Sequence, residues 1–321
     1  MRKLPIISTF KSTDTEFTVP EVYVPIDDPR YQPAYETADV VDCNLVLEGG
    51  AMRGQFTAGV LDYLMDSGLM PKTTIGVSAG ALNGFNYVAG ARGRTCYLNT
   101  KYSSDWRYLS LRSYAVTGNA LNTQMTFDDI PNKLEPFDFK AFSRSPLRLI
   151  SVASDLDLGE ADYKYLTDVK TQLAYLQASA AIPLLSQIVE VDGKRLLDGG
   201  TCDSVPIDYS CATGATKHLV VLTQDSEYVK DPERILPLYR HTYSDYPFYL
   251  DRLEYRHIDY NRCYRKLARM HSAGEAFVVR PPVPVNIASM ERDPKKLYEL
   301  WLLGYKEMQK NFKRLQTYLE L

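Results

Sequence analysis

Two short apolar runs, each followed by a turn of small residues and then by a helical pattern, mark the first third of this sequence. Residues 43–48 (CNLVLE) lead through a glycine pair into 54–67, where apolar residues recur at helical spacing. Residues 73–77 (TTIGV) lead into 78–91, a small-residue segment that can form a second helix. A strand–helix–strand–helix order is typical of a parallel sheet covered by helices. The sequence therefore predicts an α/β fold with a central, mostly parallel sheet sandwiched by helices.

The same alternation resumes in the second half of the sequence. It predicts strands at 147–154, 187–191, 194–198 and 217–224 and a helix at 171–181. Asp192 and Gly193 separate two of these strands and form a hairpin turn signal. Residues 95–145 show no clear periodicity, and we expect them to be irregular.

We divide the chain into three parts. Residues 1–42 are polar and interrupted by prolines, which predicts an extended N-terminal arm. Residues 43–230 hold the strand and helix alternation and form the predicted catalytic domain. Residues 231–321 are rich in tyrosine and charge, and they predict a mostly helical C-terminal extension with one strand near 275–285.

Composition excludes some classes of function. The net charge of -3 over 321 residues gives no overall basic footprint for nucleic acid. The first residues contain only a four-residue apolar patch, too short for a signal-peptide core, and no run approaches the length of a membrane span. The five cysteines are widely spaced without a CxxC pair. We expect a cytoplasmic protein that can contact a membrane peripherally and that needs no metal or other cofactor.

Residues 76–80 (GVSAG) match the G-x-S-x-G pattern of a nucleophile elbow. A serine at a sharp strand-to-helix turn has a strained backbone, so small neighbours such as Gly76 and Gly80 are needed on both sides. The pattern also fits a plain tight turn. Its position between a predicted strand and a predicted helix favours Ser78 as a nucleophile.

The turn after the first strand is a candidate oxyanion hole, because its backbone N–H groups can point at one spot. Its residues are Gly49, Gly50, Ala51, Met52, Arg53 and Gly54. The same placement suits a dinucleotide-binding turn, but Ala51 breaks the G-x-G-x-x-G fingerprint. A turn without any ligand is the third interpretation.

A third motif supplies a candidate base. Asp198 ends a predicted strand and is followed by Gly199 and Gly200, so its carboxylate can project into a cleft. Taken alone, this pattern is more typical of an aspartate that caps a turn. The four histidines lie outside glycine-bearing loops that follow strands, and we interpret them as surface or packing residues. Asp198 remains as the candidate base for Ser78.

These three motifs, in this order, resemble the patatin-like phospholipase family, and 177–183 (QASAAIP) resembles the small-residue stretch that precedes the family's aspartate. The resemblance covers roughly 43–225. It implies a metal-independent Ser78–Asp198 dyad and an acyl-enzyme intermediate. It also implies an oxyanion hole, for which the amides of Gly50 and Ala51 are the first candidates. The sequence departs from the family at Ala51, where a glycine is common, and at Glu48, where an aspartate is common.

The resemblance implies acyl esters of lipids as substrates, including phospholipids, lysophospholipids and neutral glycerides. Arg53 either attracts a lipid phosphate or braces its loop. Two interpretations exist for the C-terminal tyrosines: an interfacial patch at a lipid surface, or helix packing with solvated charges between them. The tyrosines concerned are Tyr239, Tyr243, Tyr246, Tyr249, Tyr255, Tyr260 and Tyr264.

Two alternatives to a lipid hydrolase with a Ser–Asp dyad remain open at this point. One is a serine acyltransferase that uses a histidine base. The other is a catalytically inactive, lipid-binding scaffold. The acyltransferase predicts that activity survives a change of Asp198 but is lost on changing one histidine. The inactive scaffold predicts that a serine probe does not label Ser78. The oligomeric state is unknown from the sequence.

Overall fold

The computed structural model describes residues 17, 18 and 20–321. Part of the predicted N-terminal arm, residues 1–16 and 19, therefore lies outside the described residues. The strands are β1 (Asp39–Leu47), β2 (Leu69–Val77), β3 (Arg148–Asp155), β4 (Glu160–Leu166), β5 (Val189–Val191), β6 (Lys194–Asp198), β7 (His218–Val221) and β8 (Phe277–Val279).

Helices connect and cover these strands. They are α1 (Gly54–Asp66), α2 (Ala79–Val88), α3 (Arg94–Tyr102), α4 (Leu111–Thr117), α5 (Phe139–Arg144), α6 (Leu173–Ser179), α7 (Ile207–Ala212), α8 (Leu236–Thr242), α9 (Pro247–Ala273) and α10 (Pro294–Leu319). A π-helix covers Met125–Leu134. The two predicted units that begin the domain are therefore β1–α1 and β2–α2.

The strands form one sheet in the order β5-β6-β3-β2-β1-β7-β8, with β4 paired to β3 outside this path. The five strands from β3 to β8 in this order are parallel. β4, β5 and β6 pair antiparallel. The prediction of a mostly parallel, helix-covered sheet is confirmed, and so is the hairpin at Asp192 and Gly193.

Both faces of the sheet are covered. Along β1, Leu45 and Leu47 pack into the cluster that includes α1 and α2. Val46, between them, points to the opposite face and packs with residues of α9. All three are fully buried. This alternation within a continuous apolar run is what a central strand of a two-sided parallel sheet requires.

The C-terminal part is joined to the rest through both a strand and a helix. β8 pairs parallel with β7 and extends the sheet. α10 packs closely on α1 because two glycines let the backbones meet: a Cβ at Gly304 would lie 2.0 Å from the carbonyl oxygen of Phe56, and one at Gly59 would lie 1.9 Å from that of Trp301. The division of the chain into three parts stays a prediction.

The expectation of an irregular segment at 95–145 is wrong. α3, α4, the π-helix and α5 occupy much of it. Short helices of six to ten residues give no sustained 3.6-residue pattern, and Pro131 inside the π-helix masks it further. Two local caps were readable: Ser110 and Asp138 accept hydrogen bonds from the amides of residues 113 and 141. β4 was also missed, because its residues are polar and mostly half-buried.

Candidate active site

Ser78 lies where β2 ends and α2 begins, with φ of 54° and ψ of -123°. A positive φ is costly for a residue with a side chain, so this turn is strained. The flanking glycines permit it. A Cβ at Gly76 would lie 2.6 Å from the carbonyl oxygen of Gly80, and a Cβ at Gly80 would lie 2.4 Å from that of Leu47. The predicted elbow geometry is therefore present, with the Ser78 side chain at the start of a helix.

The backbone amide of Ser78 is held by a residue that we did not single out from the sequence. It donates to the Ser179 hydroxyl at 2.8 Å, and that hydroxyl donates to the carbonyl oxygen of Val152 at 2.6 Å. Ser179 is fully buried. It lies in the small-residue stretch 177–183, so the only signal was the resemblance of that stretch. This bridge fixes the elbow to β3.

Strand register brings Asp198 to the level of Ser78. Val77 on β2 pairs with Val152 on β3, and Ala153 pairs with Asp198 on β6. β3 thus lies between the serine and the aspartate, and strands two positions apart are about 10 Å apart along the sheet. The Ser78 side chain lies within hydrogen-bonding reach of the Asp198 carboxyl across the end of β3. The structure brings together the two residues that the motifs selected.

The loop after Asp198 depends on its two glycines. The amide of Gly200 donates to Oδ1 of Asp198 at 2.8 Å, which orients the carboxylate. A Cβ at Gly199 would lie 2.3 Å from the carbonyl oxygen of Val152. On the other side, the Ser154 hydroxyl donates to the Asp198 carbonyl oxygen at 2.9 Å. The carboxylate is thereby fixed by its own loop and by β3.

The environment of Asp198 favours a proton acceptor. The residue is only 8% exposed, and burial raises the pKa of its carboxyl above the usual range. The side chain of Ser78, the amide of Gly200 and the charge of Arg256 each act against this rise. A carboxylate with a raised pKa beside a hydroxyl is a stronger base than an exposed aspartate.

The glycine-rich turn lies directly against the nucleophile, since a Cβ at Gly49 would lie 3.1 Å from the Cβ of Ser78. Gly50 cannot carry a side chain because its Cβ would meet the Thr223 hydroxyl at 2.7 Å. Ala51 has φ of 48°, a conformation that glycine adopts more easily. Within the described part of the chain, the amides of Gly50 and Ala51 donate to no protein acceptor. They are free to bind an oxyanion.

The rest of the turn is structural or lies at its edge. The amide of Met52 donates weakly to the carbonyl oxygen of Ser289 at 3.4 Å. The amide of Arg53 donates to the carbonyl oxygen of Gly50 at 3.0 Å. Gly54 begins α1, where its carbonyl oxygen accepts from Asn83 at 3.0 Å. Burial, the charge of Arg256 and then the charge of Arg53 lower the pKa of Lys230 to about 8.

Glu48 begins this turn and is a second residue whose role the sequence did not reveal. It is 2% exposed, yet its carboxylate has several donors. Oε2 accepts from the hydroxyl of Thr223 at 3.1 Å and from that of Tyr264 at 2.8 Å. Tyr260 donates to Oε1. Burial, and after it the charge of Glu48, raises the pKa of both tyrosines.

An apolar cavity adjoins Ser78. Its walls come mainly from α2, α3, the π-helix and α6, and include Leu82, Phe85, Leu98, Phe127, Ile130 and Leu176. Arg94 also lines it and is 2% exposed. Its Nη2 donates to the carbonyl oxygen of Glu135 at 2.6 Å. An apolar wall beside a nucleophile suits an acyl chain.

No histidine is among the residues that line this cavity. His218 is buried at the start of β7, where its Nδ1 pairs with the Ser210 hydroxyl at 2.8 Å. Nδ1 of His271 accepts from the amide of Val278 at 3.1 Å. These are packing positions, and His241 on α8 is exposed. For these three histidines, this agrees with the predicted role; His257 on α9 is half-buried and does not line the cavity.

The two interpretations of the C-terminal tyrosines are now distinguishable. Five of the seven are buried, namely Tyr239, Tyr243, Tyr249, Tyr260 and Tyr264. Tyr255 is 49% exposed and Tyr246 is half-buried. The packing interpretation is confirmed, and a patch made of the whole cluster is wrong. Helical spacing placed the buried set on the face of α8 and α9 that meets the sheet.

The fold and the site together define an α/β protein with a nucleophile elbow. A family model described as patatin-like phospholipase matches residues 45–210, just over half of the chain. The chain therefore belongs to the patatin-like phospholipase family, which confirms the resemblance. A second model, described as a domain of unknown function (DUF6363), matches residues 246–320.

Curated relatives agree with this assignment. The uncharacterized protein YjjU of Escherichia coli is 27% identical over 203 residues, which is 59% of this chain and 54% of YjjU. Lysophospholipase NTE1 of Saccharomyces cerevisiae is 29% identical over 181 residues, which is 53% of this chain and 10% of NTE1. The chain thus spans about half the length of YjjU and a small part of NTE1.

One solved structure, that of VipD from Legionella pneumophila, aligns over 87% of this chain and 67% of VipD at 12% identity, with a TM-score of 0.40.

In the described part of the chain, no helix is long and apolar enough to cross a membrane. The same residues contain no group of three or more histidine, cysteine or acidic side chains placed to hold a metal ion.

Proposed function

We propose that this chain is a serine hydrolase of lipid acyl esters that uses Ser78 and Asp198 as a catalytic dyad. One observation carries the proposal: a strained serine and a buried carboxylate with a raised pKa meet beside two free backbone amides and an apolar cavity. Family membership and a relative named lysophospholipase support the same class of reaction.

The chemistry follows from these groups. The Ser78 hydroxyl attacks the ester carbonyl carbon while Asp198 accepts its proton. The developing oxyanion takes hydrogen bonds from the amides of Gly50 and Ala51, and loss of one such donor typically costs about 3 kcal/mol of transition-state stabilisation. Asp198 then returns the proton to the leaving alcohol. Asp198 then accepts a proton from a water molecule as that water attacks the acyl carbon, and it passes the proton to the Ser78 oxygen as the carboxylic acid leaves.

The substrate is an ester with an apolar acyl chain, which the cavity beside Ser78 accommodates. The name lysophospholipase for NTE1 makes single-chain phospholipids the first natural substrates to try. We place the reaction at the surface of a membrane or micelle, where such substrates reside. Arg53, at the edge of the turn, is the candidate contact for a phosphate group.

The test compares turnover of p-nitrophenyl esters of increasing chain length with labelling by a fluorophosphonate probe. We expect Ser78→Ala to abolish both and Asp198→Asn to lower the rate by at least about a thousandfold, since the general base is lost. Ser143→Ala on α5 and Asp231→Asn, both exposed, are the matched controls. Full activity of Ser78→Ala would overturn the proposal.

The same assay decides between the alternatives. An acyltransferase with a histidine base predicts that Asp198→Asn retains activity and that one of the four histidine-to-alanine variants loses it. An inactive lipid-binding scaffold predicts that wild type is neither labelled nor turns over any ester, although it binds lipid vesicles. Hydrolysis that requires both Ser78 and Asp198 supports the dyad.

A further inference from the structure

One face of α9 contacts both catalytic loops. Four side chains spaced by four residues, Arg252, Arg256, Tyr260 and Tyr264, form a continuous row that we name the α9 stripe. Twelve residues of helix extend about 18 Å, enough to reach from one loop to the other. The stripe belongs to the region matched by the domain of unknown function.

The first half of the stripe holds the aspartate loop. Nε of Arg256 donates to the carbonyl oxygen of Gly200, two residues after Asp198. Nη2 of Arg252 donates to the carbonyl oxygen of Cys202 at 3.3 Å. The backbone that orients the catalytic carboxylate is thus tied to α9 at two points.

The second half holds the oxyanion turn. Tyr260 and Tyr264 both donate to the buried carboxylate of Glu48, which immediately precedes the glycines of the turn. The two tyrosine rings stack with centroids 4.6 Å apart, which limits their movement. Phenylalanine at these positions would keep the ring packing but leave Glu48 with fewer donors, and a buried carboxylate short of donors is unstable.

We infer that the α9 stripe is a positioning element that sets the distance between the oxyanion turn and Asp198, so that the C-terminal region is part of the active-site scaffold. This inference rests on the proposed function. None of the four residues touches the reacting atoms. A shift of about 1 Å in one loop relative to the other is enough to lower a rate by roughly 100-fold.

Tyrosine variants test the second half of the stripe. For the Tyr260→Phe/Tyr264→Phe double variant, we expect kcat and the labelling rate to fall by about 10- to 100-fold, with KM changed less than about twofold. Tyr255→Phe, an exposed tyrosine of the same helix, is the matched control and should behave like wild type. A folded double variant that is labelled at the wild-type rate would refute the inference.

Combination with Glu48→Gln separates positioning from general damage to the fold. The neutral amide needs fewer donors than a carboxylate, so Glu48→Gln should restore part of the rate lost in the double tyrosine variant. Strictly additive losses would count against a shared network. This readout also serves if the double variant alone is poorly folded.

Arg256 variants test the first half through pH. The charged and titratable groups near Asp198 are Arg256 and Tyr249, whose hydroxyl pairs with that of Thr201. Arg256→Gln can still donate to Gly200 but lacks the charge that lowers the pKa of Asp198, so the acidic limb of kcat/KM should move to higher pH. Arg256→Lys should return the limb towards wild type. An unchanged limb in both variants argues against a role of Arg256 at Asp198.

Backbone hydrogen exchange keeps the two proposals distinguishable. If wild type is never labelled, the proposed hydrolase fails, but the stripe can still be assessed. The double tyrosine variant should then exchange amides faster in 48–54, and Arg256→Ala, which cannot donate to Gly200, should do so in 198–204. Unchanged exchange in both loops would show that α9 does not hold them.

Discussion

The two long helices of the C-terminal region differ in what they contact. α9 reaches the loops of the candidate active site through Arg256, Tyr260 and Tyr264. α10 packs instead on α1, where the indole of Trp301 donates to the buried carboxylate of Asp62 at 2.7 Å. One family model covers both helices. A region defined as one unit by sequence thus contains a helix that contacts the site and a helix that anchors the region.

The close approach of α10 to α1 should be the most sensitive point of this arrangement. Gly304→Ala places a Cβ 2.0 Å from the carbonyl oxygen of Phe56, and backbone cannot yield as a side chain can. We expect the free energy of unfolding to fall by at least about 2 kcal/mol. Urea denaturation measures the loss. Gly274→Asn, after α9 in open space, should lie near wild type.

A smaller effect is expected from the hydrogen bond between the same two helices. Trp301→Phe removes a donor from Asp62, whose pKa burial raises to about 6. The folded-state pKa lies above the unfolded value, and the lost donor stabilised the ionised form. We therefore expect a loss of about 1–3 kcal/mol above pH 7 that shrinks below pH 6, where the carboxyl is protonated.

Activity completes this second test. Once corrected for the folded fraction, the rate at which a fluorophosphonate labels Ser78 should be unchanged in Trp301→Phe, because α10 does not hold the catalytic loops. A labelling rate that falls as steeply as in the α9 tyrosine variants would remove the distinction between the two helices.

The smallest change concerns the carboxylate beside α9. Burial raises the pKa of Asp198 in the folded protein, so its ionised form opposes folding above that pKa. Asp198→Asn keeps an acceptor for the amide of Gly200 and removes the charge. We expect the variant to be more stable than wild type at pH 8, with the difference vanishing at acid pH. A less stable variant at pH 8 would mean that Arg256 and the amide outweigh burial.

Local motifs made much of this site predictable. The turn from a strand into a helix depends on residues only a few positions apart. The pentapeptide around Ser78 contains the small residues that this turn requires. Asp198 reaches the same level because the short strand β6 runs antiparallel to β3 and ends beside Ala153, a register that the sequence does not show. Glu48, Ser179 and Arg256 were not identified, because their partners lie far away in sequence and a single chain shows no pairing between them.

The irregular segment and the tyrosines show the same limit in the fold. The π-helix and its short neighbours carry no sustained period, so only their end caps were readable. The tyrosines of α8 and α9 have the composition of an interfacial patch, and burial alone reveals them as packing residues. Composition does not say which way a side chain faces.

The hydrogen bond between Glu48 and Tyr260 spans 212 residues of sequence. A ribosome adds about 5–20 residues per second, so roughly 10–40 s pass between synthesis of the two partners. During that interval the segment around Ser78 is also synthesised, but the carboxylate of Glu48 still lacks its tyrosine donors. The nascent chain therefore acquires a finished oxyanion turn only when its C-terminal quarter emerges, and an incomplete product of translation lacks the fully assembled site.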